Sequence, residues 1–445
     1  MTNLALKEQS MNKEFSSKIG IVLSAVGSAV GMANIWGFPY KFQAGGLVFL
    51  IFYIIFAALF SYVGLSSEFA IGRMAKTGTL GAYEYAFDTS KNNKKLGRIL
   101  GLIPLIGTFL IAIGYCVIVA YVLKGFVDSL TGQIFATDAD IWFDSFAGEK
   151  YSVISYHLIA IVLTIITCLG GASSIEKSNK IMMPTFFILF VILAIKVATL
   201  PNAIAGYDNM FKYNPETLNI NTIVTAMGQA FFSLSITGSG MIVVGAYISK
   251  KEDIVSSSVH TGILDTLSGL LASFVIIPAV SVFNMEQVGG PSLLFVTLPT
   301  ILNNIKFGRI FAIFLYLAVV FAGISSLQNM FEVIAESLTH RFKNLSRNMV
   351  FIFLGLVVFL LGINLERIDD FGPYMDIISI YIIPIGASIG AITWFYVLKK
   401  DMLVNEINLS SKNHYGNRWY RLGKYIYVPI AIILTSLALI FKISF

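Results

Sequence analysis

The sequence predicts an all-α integral membrane protein with about eleven transmembrane helices. Two observations carry this prediction. Hydrophobic residues make up 56% of the 445 residues against 13% charged residues, whereas soluble domains have about half and a quarter. The apolar residues also fall in long runs, and a helix needs about 20 residues to cross a ~30 Å hydrocarbon layer. The short alternating segments that are typical of an outer-membrane barrel are absent from the sequence.

Each apolar run is a predicted span, bounded by polar residues on both sides. The runs are Ile19 to Tyr40, Leu47 to Leu65, Leu102 to Leu123, Val153 to Leu169, Ile181 to Leu200, Ile223 to Ile248, Ser258 to Phe283, Ile310 to Leu338, Met349 to Ile363, Ile377 to Leu398 and Tyr425 to Phe445.

The positions of the basic residues predict the orientation, because cytoplasmic loops retain lysine and arginine. Most of the 31 basic residues lie in one alternate set of loops. This places the N-terminus in the cytoplasm and Phe445 outside the plasma membrane. The net charge of +6 is explained by this asymmetry, so no nucleic-acid partner is expected.

An enzyme is not indicated by the sequence. The chain carries no HExxH, GxSxG or phosphate-loop pattern, and His157 and His260 have no neighbouring metal ligands in the sequence. Cys116 and Cys168 lie within apolar runs, so we interpret them as packed thiols rather than as a disulfide or metal pair.

Two of the runs have centres that weaken a helix. The first reads SAVGSAVGMANIWGFPY, with Asn34 near its middle, and the sixth reads QAFFSLSITGSGMIVV. Irregular backbone at membrane depth requires partners for its polar groups, and paired interruptions in two halves of a chain indicate the midplane site of a secondary transporter. The alternative is close helix packing of the GxxxG type at Gly27 and Gly31.

Asp265 is an acidic residue inside the apolar run ILDTLSGLLASFVIIP. An unpaired charge at the bilayer centre costs at least about 2.5 kcal/mol, so this carboxylate predicts a bound cation. The alternative is a protonated or hydrogen-bonded aspartate that joins helices.

Four motifs resemble the neurotransmitter:sodium symporter family, and the eleven-span layout resembles its bacterial amino-acid transporter branch. They are GSAVGMANIWGFPY, the EFAIGR run at Glu68 to Arg73, GQAFFSLS, and GPSLLFVTLP from Gly290 to Pro299. The resemblance implies a sodium-coupled symporter that imports an amino acid or related zwitterion by alternating access. A channel-like or sensor protein that kept the fold and lost tight coupling is the alternative.

The implied fold has two inverted repeats of five spans, with broken first and sixth helices. The predicted units are an N-terminal cytoplasmic segment (1–18), the first repeat (19–200), an extracellular connection (201–222), the second repeat (223–400), and a cytoplasmic loop with span 11 (401–445).

The resemblance also implies a set of site residues for two sodium ions and a zwitterion. The first sodium ion would be bound by Ala29, Asn34, Ser233 and Asp265 together with the substrate carboxylate. The second would be bound by carbonyls of Gly27, Val30 and Ala322 and hydroxyls of Ser325 and Ser326. The substrate would contact Ser28, Ala29, Gly31, Met32, Ala33, Tyr115, Phe232, Ser233, Ser235, Gly238, Ser326 and Met330.

Several of these residues also have purely structural interpretations. Tyr115 taken alone predicts an aromatic side chain packed between helices, and Ser325 and Ser326 predict hydroxyls that bond back to their own helix. Glu68 and Arg73 are interpreted as a local ion pair or an interfacial anchor. Chloride-independent relatives carry a carboxylate near Asp265, so transport without chloride is expected.

The chain departs from the family pattern at both gates and in the pocket. Gly37 stands where relatives have the outer-gate arginine, with Asp376 near the acidic partner position, and Asn12 and His340 replace the inner pair. Gly238 replaces a large apolar side chain and predicts a larger pocket, while Ala33 adds a methyl group opposite. An aromatic or long aliphatic amino acid is therefore the expected substrate.

Overall fold

The computed structural model describes residues 14–285 and 289–443, which form helices and no strands. We number the helices in chain order. They are α1 Lys18–Ala29, α2 Ala33–Ala75, α3 Thr79–Lys91, α4 Lys94–Thr131, α5 Ala139–Ala147, α6 Ile154–Cys168, α7 Ala172–Ala198, α8 Ala203–Phe211, α9 Ile220–Ser233, α10 Gly240–Ala246, α11 Ile254–Val282, α12 Leu293–Asn303, α13 Gly308–Arg341, α14 Arg347–Leu365, α15 Ile368–Val397, α16 Lys400–Asn408 and α17 Asn417–Phe441.

Among the described residues, eight helices are long and apolar enough to cross a membrane. They are α2, α4, α7, α11, α13, α14, α15 and α17, and α1, α6 and α12 are shorter apolar helices. The first predicted run is divided between α1 and the start of α2, and the sixth is divided between α9 and α10. Gly46, with φ 56° and ψ −149°, interrupts α2 between the first and second predicted runs.

Helix α14 shows how the surface fits a lipid environment. Its exposed residues include Met349, Ile352, Phe353 and Leu356, each more than half exposed, and their spacing of three and four residues places them on one face. Buried residues such as Phe351 line the opposite face. An apolar stripe of this kind on the outside of the molecule indicates contact with hydrocarbon.

Helix α1 lies at the seam between two large buried clusters. Val22, Val26 and Val30 pack into a cluster with α4, α7 and α13. Ala25 and Ala29, on another face of α1, pack into a second cluster with α2, α10 and α11. The interrupted first helix therefore lies where the two packed halves of the protein meet.

Candidate functional site

The first helix is broken directly after Ala29. Val30 is extended, with ψ 117°. The chain becomes helical again at Ala33–Gly37, which forms a π turn. The Asn34 side chain holds the break, because its Oδ1 accepts a hydrogen bond from the Gly31 amide at 3.1 Å. The last carbonyl groups of α1 are thereby available to side chains of other helices.

The sixth predicted helix is broken between Ser233 and Gly240. Ser235 has φ 52° and Gly238 has φ 74°, so both residues lie in the left-handed region. For serine this conformation costs about 1 kcal/mol or more, and strain of this kind concentrates at functional sites. The Ser235 hydroxyl donates to the Ser28 carbonyl at 3.1 Å, which joins the two breaks directly.

Asp265 meets both breaks from α11. Its carboxylate accepts hydrogen bonds from the Ser233 hydroxyl at 2.9 and 2.8 Å, from the Asn34 amide at 2.8 Å and from the Tyr53 hydroxyl at 3.2 Å. All four side chains are buried. The structure thus brings together three of the residues predicted for the first sodium ion, and Ala29 ends the adjacent helix.

The Asn34 amide has an orientation that the sequence did not predict. Its nitrogen faces Asp265 and Ser233, while its oxygen accepts from Gly31. A cation held between Asn34 and Asp265 would need the amide oxygen rather than the amide nitrogen on that side. The amide nitrogen currently supplies the positive pole that the carboxylate needs.

The residues predicted for the second sodium ion also lie together. The Ser326 hydroxyl contacts the Val30 carbonyl at 3.0 Å and the Gly27 carbonyl at 3.4 Å. The Ser325 hydroxyl bonds back to the Ala322 carbonyl at 3.0 Å, as its structural interpretation predicts. This set of carbonyl and hydroxyl oxygens is the ligand type that a hard cation prefers.

A cavity of about 760 Å³ opens between the two breaks. Of the predicted substrate contacts, these residues line it: Ser28, Ala29, Gly31, Met32, Ala33, Tyr115, Phe232, Ser235, Ser326 and Met330. The Tyr115 hydroxyl accepts from the Met32 amide at 3.1 Å. It therefore lies at the amide end of the broken first helix, where a substrate carboxylate is favoured.

Gly238 and Ser233 do not line this cavity. Ser233 is turned toward Asp265. A Cβ atom on Gly238 would lie 2.6 Å from the Gly386 carbonyl oxygen and 2.8 Å from the Tyr83 hydroxyl. The expectation that Gly238 enlarges the pocket is therefore not met, because backbone and a tyrosine already occupy the space beside it.

Glu68 has a role that its sequence interpretation missed. Its Oε1 accepts from the Gly238 amide at 2.8 Å, so this buried carboxylate holds the break in the sixth helix. Arg73 instead pairs with Glu406 at 2.6 Å. The expected local pair between Glu68 and Arg73 is wrong. The sequence could have indicated this role by the argument used for Asp265, because Glu68 is also a carboxylate close to an apolar run.

Lys41 and Gln229 are further cavity residues; the sequence placed Lys41 near the missing gate arginine but did not indicate its contact with Gln229. The Lys41 ammonium donates to Gln229 Oε1 at 2.7 Å, and Gln229 Nε2 donates to the Ala33 carbonyl at 3.0 Å. Gly37, where the arginine is missing, lies beside the Gln229 side chain. Lys41 and Asp376 line the same cavity, so residues of opposite charge contribute to its wall.

The predicted inner gate is only partly visible. Asn12 lies outside the described residues. His340 is exposed and lies near Gly81, where a Cβ atom would lie 3.0 Å from its Nε2. Near the start of the described residues, Glu176 accepts hydrogen bonds from the Ser16 amide at 2.6 Å and the Ser17 hydroxyl at 3.0 Å. Hydrogen bonds to Glu176 therefore fix the start of α1.

Known proteins with similar sequences and structures agree with this geometry. Residues 12–152 and 143–444 match the model of the sodium:neurotransmitter symporter family. The chain belongs to this family. The sodium-dependent transporter YhdH of Bacillus subtilis is 30% identical over 97% of this chain and 98% of its own length. A sodium-dependent transporter of Methanocaldococcus jannaschii is 29% identical over 95% and 89% of the two chains.

One solved structure shares the fold of this protein over almost its whole length. The crystal structure of MhsT in complex with L-phenylalanine superposes with a TM-score of 0.84 at 29% identity, over 96% of this chain and 99% of that one. Membership in the sodium:neurotransmitter symporter family makes the chain a multi-pass membrane transporter rather than an enzyme. The predicted resemblance is thereby confirmed.

Proposed function

We propose that the protein imports an amino acid or related zwitterion together with sodium, by alternating access. The observation that carries this proposal is the pair of helix breaks that face one cavity, with Asp265 bound to residues of both. Helix α9 and helix α1 end there with their negative poles, which favour sodium and the substrate ammonium. The amide ends at Met32 and Gly240 favour a carboxylate.

Two sodium ions are part of the proposal. Asp265, Ser233 and Asn34 supply oxygen to the first ion, with the Ala29 carbonyl and the substrate carboxylate. Gly27, Val30, Ala322, Ser325 and Ser326 supply it to the second. The hydrogen bonds that join Asn34, Ser233 and Asp265, and those that join Ser326 to the Gly27 and Val30 carbonyls, support the assignment.

An aromatic or long aliphatic amino acid is the proposed substrate class. The reason lies in the cavity walls rather than in Gly238. Ile111, Phe232 and Ile383 line the cavity beside Met330 and present apolar surface to a side chain of that size. The MhsT structure contains L-phenylalanine, which supports the same class.

The membrane arrangement is proposed as predicted from the sequence. It has about eleven spans in two inverted repeats of five plus one, a cytoplasmic N-terminus and an extracellular C-terminus. Cysteine labelling in sealed vesicles of single-cysteine variants at Lys94 and Lys150 tests it. Lys94 must react only from the inner side, and the opposite result contradicts the orientation.

Purified protein in liposomes with an inward sodium gradient tests the transport proposal. Labelled amino acids must accumulate when sodium is present outside and not when choline replaces it. A panel of unlabelled amino acids then identifies the substrate by competition. Preference for glycine or alanine contradicts the proposed size class, and absence of sodium-driven accumulation of any zwitterion contradicts the proposed function.

Chloride independence is proposed from Asp265. Its carboxylate places a fixed negative charge in the cluster with Asn34 and Ser233, so an added anion is not needed beside the first sodium ion. Replacing chloride by gluconate in the liposome assay must leave the uptake rate unchanged. Collapse of uptake in gluconate contradicts this part of the proposal.

A further inference from the structure

The Asn179 side chain on α7 is held in a single orientation. Its Nδ2 donates to the Ile175 carbonyl at 3.0 Å and to Gln328 Oε1 at 3.0 Å. The Gln328 amide nitrogen in turn donates to the Ser178 hydroxyl at 2.7 Å. Because both neighbours of Nδ2 are acceptors, the amide cannot be turned over without losing two hydrogen bonds.

The oxygen of this amide is directed at the second proposed sodium site. Asn179 Oδ1 is buried and has no hydrogen-bond partner among the described residues. A Cβ atom on Gly27 would collide with this oxygen and would lie 3.0 Å from Ser325 Cβ. Gly27 and Ser325 both belong to the residues proposed for the second sodium ion.

A small cavity borders Asn179 and Ser325. It encloses about 10 Å³ and is lined by Ser24, Asn179, Ser325 and Glu332, among others. Ser24 Oγ is also buried without a partner among the described residues. A cavity of this size is at the lower limit for one water molecule, and an unpaired buried polar atom costs about 1 to 3 kcal/mol.

We propose that Asn179 is a positioning residue of the second sodium site. Its Oδ1, together with Ser24 Oγ, holds one water molecule of the sodium ion's coordination shell in this cavity. The hydrogen bonds from Asn179 to Gln328 orient the oxygen before the ion arrives. This inference rests on the proposed sodium-coupled function, and it adds α7 to a site otherwise built from α1 and α13.

Sodium-dependent thermal stability of the purified full chain in detergent tests the inference without substrate or transport. A ligand that binds only the folded state raises the melting temperature as its concentration increases. Sodium is titrated against choline at constant ionic strength. Asn179→Leu must raise the half-saturating sodium concentration about tenfold, the lower end of the effect of outer-shell residues on metal sites. Ser24→Ala must raise it in the same direction.

Thr185→Ala is the matched control. It removes a hydroxyl from the same helix, but that hydroxyl bonds back to the Ile181 carbonyl at 2.8 Å and Thr185 does not line the cavity, so the half-saturating concentration must stay at the wild-type value. A purely structural role of Asn179 would lower the melting temperature in choline without moving that concentration, and this result overturns the inference.

Ser24→Ala decides the question if Asn179→Leu does not fold. An unchanged half-saturating concentration in Ser24→Ala then overturns the inference. Wild-type protein whose melting temperature does not respond to sodium would instead contradict the proposed function itself.

Discussion

The Tyr115 hydroxyl is proposed to hydrogen-bond the substrate carboxylate, and the loss of that bond is measurable. This hydroxyl accepts from the Met32 amide at 3.1 Å and lies where the substrate carboxylate is proposed to bind. Tyr115→Phe removes a hydrogen bond to a charged group, so we expect substrate affinity to fall about tenfold. Competition binding of a labelled amino acid in the presence of sodium measures this affinity.

Tyr316→Phe is the control, because Tyr316 bonds to the Leu294 carbonyl at 2.9 Å outside the cavity. Equal losses in both variants contradict a substrate role for Tyr115.

Lys41 replaces the missing outer-gate arginine in our interpretation. The arginine position is Gly37, and Lys41 lies four residues later on the same helix and lines the same cavity as Asp376. Lys41→Met must reduce the maximal uptake rate at least several-fold, and Lys41→Arg must retain most of it. If the two charges meet on closure, Lys41→Met combined with Asp376→Asn is no worse than either single variant.

An exposed ion pair elsewhere on the molecule gives the control for Lys41. Lys150 lies 3.8 Å from Asp370, and its side chain is 52% exposed. Surface pairs of this kind contribute little, so Lys150→Met must leave the uptake rate unchanged. Additive losses for Lys41 and Asp376 would show that the two charges act independently.

A site residue could be predicted from the sequence where its own residue type is unusual for its surroundings. Asp265 stands out as a charge in an apolar run, and its contacts with Asn34 and Ser233 follow the prediction. The partners of Glu68 and Lys41 could not be predicted, because each is set by a contact between distant parts of the chain. The side of the Asn34 amide that faces Asp265 is likewise fixed only by its three-dimensional neighbours.

The break in the sixth helix depends on a residue that tolerates a left-handed backbone. Gly238 has φ 74° and packs against the Gly386 backbone, so Gly238→Ala meets both backbone strain and a steric clash. We expect a loss of about 1 to 3 kcal/mol in stability and loss of sodium-driven uptake. The melting temperature and liposome uptake measure these two effects.

Gly416→Ala is the matched change outside the site. A Cβ atom there meets nothing within 4 Å, and its φ of −105° suits any residue. This variant must keep wild-type stability and uptake. A Gly238→Ala protein with normal stability and uptake would show that the break does not need its observed geometry.

Helix breaks were the most predictable feature at the scale of elements. Glycine and serine at the centres of two apolar runs indicated both breaks, and the structure places them at Val30 and at Leu234 to Ser239. Helix ends were less predictable. Helix α4 extends from Lys94 to Thr131, well beyond its apolar run, because polar residues at membrane surfaces continue a helix without adding hydropathy.

Most of the buried hydrophobic residues of the whole molecule fall into two large clusters. The residues proposed for sodium and substrate lie at the seam where α1 contacts both clusters. Relative motion of two such packed units opens and closes a seam without disrupting either core. The sequence predicts the family and the broken helices, but the seam arises from which faces of α1 pack together. Only the folded chain shows that arrangement.

The number of sodium ions coupled to each substrate is a property of the whole cycle. Each net charge that enters with a neutral zwitterion multiplies the equilibrium accumulation ratio about tenfold for every 60 mV. Two sodium ions predict about a hundredfold change, because the charge of Asp265 remains with the protein. Liposomes with equal sodium on both sides and a potassium diffusion potential of 0 or about −60 mV isolate this electrical contribution, since the sodium gradient is then zero. A change of only about tenfold indicates one net charge per substrate and contradicts two-ion symport without a returning cation. An accumulation ratio that ignores the potential contradicts electrogenic coupling altogether.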